Sequence, residues 1–132
     1  MLVHYSETHD NERLAKNGRT WSLLRNRLCG LTSLNGGYGF TCGVEWLAAE
    51  RINVHSSTAL SWDTQENLVS ELSALNRLLA EHPCFFDNAK LTRLSPPDSP
   101  VYALRRDSSQ GADRVLILVN TAALMAQRYY AF

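Results

Sequence analysis

A short apolar run near the start of the sequence passes directly into a cluster of polar and titratable residues. Residues 2–5 include a β-branched and an aromatic side chain, which is typical of a buried strand, and residues 7–11 form the polar cluster. In parallel α/β folds the carboxyl ends of strands carry reactive side chains, because the strand fixes their direction and the following loop exposes them. The stretch therefore predicts a functional site at His9 and Asp10. An ordinary turn, or a helix N-cap at Asp10 or Asn11, is the alternative that these residues leave open.

Length, charge and cysteine content limit the class of protein. The 132 residues are one domain's worth, and 45% of them are hydrophobic, as in ordinary globular proteins. Thirteen basic residues balance thirteen acidic ones, so neither a nucleic-acid nor an anionic-membrane partner is expected. No apolar run is long enough for a signal peptide or a membrane span. The three cysteines form no Cys-x-x-Cys pair, which favours a cytoplasmic protein with reduced thiols, without disulfides or zinc.

A helix and a second strand follow the polar cluster. Apolar residues recur at helical spacing over residues 20–34, and the polar face of this helix, including Asn26, is expected to be solvated. Residues 38–44 form a second short strand that its glycines weaken. Glu45 and Trp46 lie just past this strand, which makes them second candidates for a site. A surface glutamate and a core tryptophan are the alternative interpretation.

The rest of the chain contains a loop, a helix and a hairpin. Residues 51–63 have no clean period and are interpreted as a long loop, whereas the leucine stripe of residues 68–79 predicts a core-facing helix. The proline-rich residues 95–100 mark a boundary. Residues 101–107 and 114–120 are two strands that form a hairpin.

This order gives two β-α units followed by an antiparallel segment. Two such units cannot close a barrel or fill a doubly wound sheet, because strand edges and helix faces would be left bare. We therefore expect the chain to be the end of a larger protein.

The joint order of these motifs resembles the α-amylase superfamily of α-glucan-active enzymes. The matching features are Glu7-Thr8-His9-Asp10-Asn11 after a strand, a helix, a glycine-rich strand with Glu45-Trp46, a helix that ends at His82-Pro83, and the two final strands. The resemblance covers essentially the whole chain. It implies an α/β fold made of the last two β-α units of a (β/α)8 TIM barrel (residues 1–94), followed by the start of an antiparallel β-sandwich domain (residues 95–132).

The resemblance also implies roles for particular residues. In that family a histidine and an aspartate at the end of barrel strand seven bind hydroxyls of the sugar at the cleavage point, and here these are His9 and Asp10. The aspartate stabilises the oxocarbenium-like transition state, because a fixed carboxylate favours the positive charge that develops at the anomeric carbon. The implied ligand is an α-glucan or a malto-oligosaccharide, with no cofactor and no metal. The implied substrate-binding residues are Asn11, Arg13, Glu45 and Trp46.

The sequence departs from the family in its catalytic carboxylates. A retaining glycosidase needs a nucleophile and a general acid about 5 Å apart, and the family supplies them from barrel strands four and five, which this chain does not contain. The glutamates at positions 7, 12, 45 and 50 do not lie where the family's pattern places that pair. We therefore expect a fragment of a glycoside hydrolase or glucanotransferase that does not hydrolyse glucan by itself.

Two other functions compete with this interpretation. The leucine stripe of residues 68–79 and the aromatic C-terminal residues suggest an interaction module that binds itself or a partner through exposed edges. A metal site from His4, His9, Asp10 and His55 is disfavoured, because no pair has helical i, i+4 spacing and strand alternation does not place His4 and His9 on one face.

Overall fold

In a computed structural model, which describes residues 2–53, 55–56 and 59–122, the chain forms two compact units, residues 1–79 and 80–132. The described residues include two α-helices, a pair of parallel strands and a separate sheet of three antiparallel strands. None of the helices in the described ranges is long and apolar enough to cross a membrane.

The first unit opens with a β-α-β arrangement. Strand β1 (Val3–Tyr5) pairs in parallel with β2 (Gly37–Gly39), and helix α1 (Arg19–Thr32) connects them. A short 3-10 helix, Leu14–Asn17, precedes α1. The first helix is confirmed close to its predicted bounds. The second strand is shorter than predicted, because the chain leaves the pairing after β2 and forms the turns of residues 42–47.

Helix α1 packs a polar residue inside the unit. Asn26 is fully buried, and its Oδ1 accepts hydrogen bonds from Ser6 Oγ at 2.6 Å and from Tyr38 Oη at 2.7 Å. Its Nδ2 donates to the carbonyl oxygen of Ser22 at 2.8 Å. The expectation of a solvated Asn26 is therefore wrong. The three bonds satisfy the buried amide and tie α1 to β2 and to the residue that follows β1.

The core of the first unit forms around helix α2 (Val69–Glu81). Leu72 and Leu75 on this helix are buried together with Leu68 and Val44, which confirms the predicted core for these leucines, whereas Leu78 is exposed. Leu68 N donates to the carbonyl oxygen of residue 45 at 2.7 Å, so the turn after β2 is held against the start of α2. Partly buried side chains complete the cluster: Leu23, Leu31, Tyr38, Phe40, Leu47 and Leu79.

The second unit contains an antiparallel sheet in the order β3–β4–β5. Strands β4 (Val101–Asp107) and β5 (Arg114–Asn120) form the predicted hairpin, and β3 (Lys90–Arg93) pairs with the other side of β4. Strand β3 was not predicted, because four residues are too few to give a periodic pattern. Arg106 on β4 is buried, and its Nε donates to the carbonyl oxygen of Cys84 at 2.8 Å.

The predicted fold class, two closing β-α units of a TIM barrel followed by the start of a β-sandwich, is wrong. The parallel pairing among the described residues joins two strands of three residues each. The described residues between β2 and α2 form turns and loop, so no second compact β-α unit forms among them. Strand β1 is also not the buried strand that we predicted, since Val3 and Tyr5 are 53% and 52% exposed. A barrel strand is buried because it has neighbours on both sides and helices over it, whereas β1 pairs with β2 alone among the described strands.

Candidate functional site

The loop after β1 forms a tight turn that presents the predicted His-Asp pair. Asn11 N donates to the carbonyl oxygen of Thr8 at 3.3 Å, and Thr8 Oγ1 donates to Asn11 Oδ1 at 2.7 Å. His9 and Asp10 lie at the tip of this turn with side chains 49% and 77% exposed, and His9 Nε2 is 3.3 Å from Asp10 Oδ1. The carbonyl oxygen of Asp10 accepts a hydrogen bond from Arg51 Nη2 at 2.7 Å. The turn is therefore fixed at its backbone while both side chains face solvent.

An open cleft of about 330 Å³ lies against this turn. The described residues that line it are Tyr5, Thr8, His9, Asp10 and Thr41. The lining therefore combines hydroxyl groups, one imidazole, one carboxylate and one aromatic ring. Such a set of donors and acceptors beside an apolar surface suits a ligand that carries several hydroxyl groups.

A buried ion pair lies at the base of the same loop. Arg13 is 0% exposed, and its Nε donates to Glu7 Oε1 at 2.8 Å. The other carboxylate oxygen of Glu7 accepts the backbone N–H of Leu14 at 2.5 Å. The two terminal nitrogens of Arg13 donate to backbone carbonyl oxygens, of Cys42 at 2.9 Å and of Glu50 at 3.3 Å. The desolvated charge is thus compensated by one carboxylate and two carbonyl groups.

The other predicted site residues lie apart from the described cleft lining. Asn11 is exposed but bonds back to the turn, and Arg13 contacts protein groups. Trp46 packs against Trp62, with ring centres 6.1 Å apart and ring planes at 47°. Glu45 has one buried carboxylate oxygen, Oε2, that has no hydrogen-bond partner among the described residues. The structure thus brings His9 and Asp10 together and leaves these four residues outside the cleft surface. Their predicted contact with a ligand stays a prediction.

Three residues of the cleft were not singled out from the sequence. Thr8 lies inside the polar cluster and could have been included with its neighbours. Tyr5 is the last residue of β1, and strand alternation alone could have placed its ring at that end. Thr41 is far from the turn in sequence and carries no local signal. It joins the site because its Oγ1 donates to the carbonyl oxygen of Glu7 at 2.8 Å.

The charges around the cleft limit its chemistry. Asp10 is the one carboxylate among the described lining residues, so its charge is not shared with a second acid there. Elsewhere in the unit, the hydrogen bond from the Ser61 hydroxyl lowers the pKa of Glu50. The described residues contain no group of three or more His, Cys, Asp or Glu side chains that could bind a metal ion. The described lining therefore offers side chains that donate and accept hydrogen bonds, with a single carboxylate among them.

Comparisons with known proteins give no match for this chain, whether with protein-family models, with curated protein sequences or with solved structures.

Proposed function

We propose that the chain supplies a saccharide-binding cleft for an α-glucan or malto-oligosaccharide, as a fragment of an α-glucan-active glycoside hydrolase or glucanotransferase. The observation that carries the proposal is the pair of exposed side chains, His9 and Asp10, at the carboxyl end of β1 against an open cleft. The motif order that resembles the α-amylase superfamily supports the same ligand class.

The cleft chemistry supports a sugar ligand. The Asp10 carboxylate accepts hydrogen bonds from two neighbouring sugar hydroxyls, because an ionised carboxylate has two acceptor oxygens and no donor. The imidazole of His9 donates or accepts according to its tautomer, and the hydroxyls of Thr8 and Thr41 do both. The half-exposed ring of Tyr5 offers an apolar surface to the C–H face of a sugar ring. The cleft volume lies at the lower end of the range for small-molecule sites, about 300–1,000 Å³.

The same lining argues against hydrolysis by the isolated chain. Retaining glycosidases need two carboxyl groups about 5 Å apart on either side of the glycosidic bond. Asp10 is a single carboxylate in the described lining, and its role in the resembled family is to stabilise the transition state. The proposed activity of the chain alone is therefore binding, and cleavage or transfer needs the nucleophile and general acid of the remaining protein.

A binding experiment tests the ligand class directly. We would titrate the chain with maltoheptaose, and with cellobiose as a β-linked control, by calorimetry and by amide chemical shifts. Asp10→Asn keeps the shape of the side chain and removes its charge, so we expect it to weaken maltoheptaose binding. Asp98→Asn, at an exposed aspartate of the second unit, serves as the matched control and leaves binding unchanged. Equal binding by both variants, or no saturable binding by the wild type, would refute the proposal.

A complementation experiment tests the fragment hypothesis. The chain is co-expressed with the part of a related α-glucan enzyme that contains the nucleophile and the general acid, and release of sugar from a soluble α-glucan is measured. We expect activity that needs both polypeptides and disappears with Asp10→Asn. A soluble, associated complex without activity would argue for a decayed fragment.

A partner-binding module is the second candidate. The leucines at positions 72 and 75 are buried in the core, so that part of the stripe is not available for a partner. The specific observation in its favour lies in the second unit, where Leu116 and Leu118 on β5 are each 50% exposed. Light scattering with size-exclusion chromatography separates the candidates: a monomeric wild type, unchanged by Leu118→Lys, argues against self-association.

A further inference from the structure

The buried Arg13 connects the two sides of the cleft from behind. Its Nε bonds to Glu7, which directly precedes the turn with His9 and Asp10, and Arg13 itself follows that turn. The pair therefore closes a seven-residue loop at its base. Arg13 Nη2 also donates to the carbonyl oxygen of Cys42, the residue after Thr41, at 2.9 Å. Arg13 is thus hydrogen-bonded to both sides of the cleft, the side formed by the turn with His9 and Asp10 and the side that contains Thr41.

A second bond supports the same geometry. Thr41 Oγ1 donates to the carbonyl oxygen of Glu7, so the segment that follows β1 and the side of the cleft that contains Thr41 are also bonded directly to each other. The turn beyond Thr41 is tight: Gly43 has a φ of +87°, and a Cβ added there would lie 2.8 Å from the Ala48 Cβ. Cys42 begins this compact turn and Glu50 follows it, and the carbonyl oxygens of both accept hydrogen bonds from the guanidinium.

We propose that Arg13 is a positioning residue that sets the separation between the Thr8–Asp10 turn and Thr41, and thereby fixes the cleft for its hydroxylated ligand. The identity of the ligand rests on the proposed function, whereas the positioning of the turn and of Thr41 rests on the contacts of Arg13. Arginine fits this position because its planar fork presents donors in three directions at once. Lysine keeps the charge but is a point donor on a flexible stem, so it cannot reach Glu7 and both carbonyl oxygens together.

The experiment compares Arg13→Lys with a matched control, Arg19→Lys. Arg19 also pairs with a carboxylate, Glu71, and donates from Nε to the carbonyl oxygen of Asn67 at 3.2 Å, but it lies on α1 outside the described cleft lining. Two quantities are measured on the full chain. The first is hydrogen exchange of the Asn11 amide relative to the α2 amides, without ligand. The second is the dissociation constant for maltoheptaose.

We expect Arg13→Lys to raise the relative exchange rate of Asn11 and to weaken maltoheptaose binding by about tenfold or more, because small displacements of a site cost large factors. Arg19→Lys lowers overall stability but leaves the relative exchange rate and the dissociation constant unchanged. If Arg13→Lys does not fold, Glu7→Gln takes its place, because it removes the charge and keeps the size of the partner.

The outcomes separate this inference from the proposed function. A wild type that does not bind maltoheptaose refutes the proposed function, while exchange at Asn11 still decides the role of Arg13. A wild type that binds, with a folded Arg13→Lys variant equal to it in both measurements, overturns the positioning role alone. Exchange that rises equally at Asn11 and in α2 assigns Arg13 to general stability and also overturns the proposal.

Discussion

The buried amide of Asn26 gives the sharpest stability prediction. Its Oδ1 accepts two hydroxyl donors, Ser6 Oγ at 2.6 Å and Tyr38 Oη at 2.7 Å, and its Nδ2 donates to Ser22 O at 2.8 Å. Asn26→Leu keeps a similar side-chain size and removes all three bonds. The change therefore leaves the two hydroxyls without their protein partner, whereas Ser22 O keeps its intrahelical bond from the backbone N–H of residue 26.

The expected magnitude follows from what each group loses. An orphaned buried polar group costs about 1–3 kcal/mol. Ser6 and Tyr38 are both partly buried, so water replaces part of each lost bond, although burial is sufficient to raise the pKa of the Tyr38 phenol. Greater apolar contact by the new leucine offsets some of the loss. We expect Asn26→Leu to lower the free energy of unfolding by about 2–4 kcal/mol.

The assay is urea unfolding followed by tryptophan fluorescence. The three tryptophans, Trp21, Trp46 and Trp62, all lie within residues 1–79, so the signal reports on the first unit. Asn76→Leu is the control, because Asn76 is an exposed asparagine in α2 of the same unit. We expect the control to change the free energy of unfolding by less than about 0.5 kcal/mol.

A double-mutant cycle decides whether the bond network is the cause. Tyr38→Phe alone should cost about 1 kcal/mol, because one hydrogen bond is lost. In the Asn26→Leu background the same change removes an orphaned hydroxyl, so its cost should vanish, giving a coupling of about 1 kcal/mol or more. Additive costs within about 0.5 kcal/mol would mean that water satisfies these hydroxyls, and the reasoning from burial would be refuted.

Three further predictions concern titration, a turn and the second sheet. Burial raises the pKa of the Tyr38 phenol, so the contribution of this group to stability is fully present below the unfolded phenol pKa of about 10 and falls as the pH rises above that value. Tyr38→Phe should remove this part of the decline of the urea midpoint with pH. Gly43→Ala should lower the melting temperature of the first unit by more than Gly18→Ala. Both glycines have a positive φ, +87° and +89°, but among the described residues only an alanine at position 43 would clash. Ile117→Ala should lower the free energy of unfolding, followed by circular dichroism, by about 2–4 kcal/mol, because Ile117 is buried. Leu116→Ala should lower it by less than about 1 kcal/mol, because Leu116 is half exposed, and equal losses would contradict the register of β5.

The local pattern of apolar residues in the sequence was sufficient to predict the two α-helices and the hairpin. The helices α1 and α2 and the hairpin of β4 and β5 were predicted near their observed bounds, because apolar spacing follows the period of the structure that buries it. The exposed turn with His9 and Asp10 corresponds to the alternative interpretation of these residues, and their role as a functional site stays a prediction. The fold class was wrong, because pairing between distant strands has no local signal in the sequence.

The tertiary structure alone decided which polar residues are buried and which residues share the cleft. Asn26 and Arg13 look like surface residues in sequence, yet both are buried, because partners at positions 6, 7, 38 and 42 satisfy their polar groups. Thr41 reaches the cleft through a bond to the backbone of Glu7. The sequence by itself determined where helices, hairpin and polar turn form, since these depend on neighbours along the chain. Burial and site assembly depend on partners that only folding brings together.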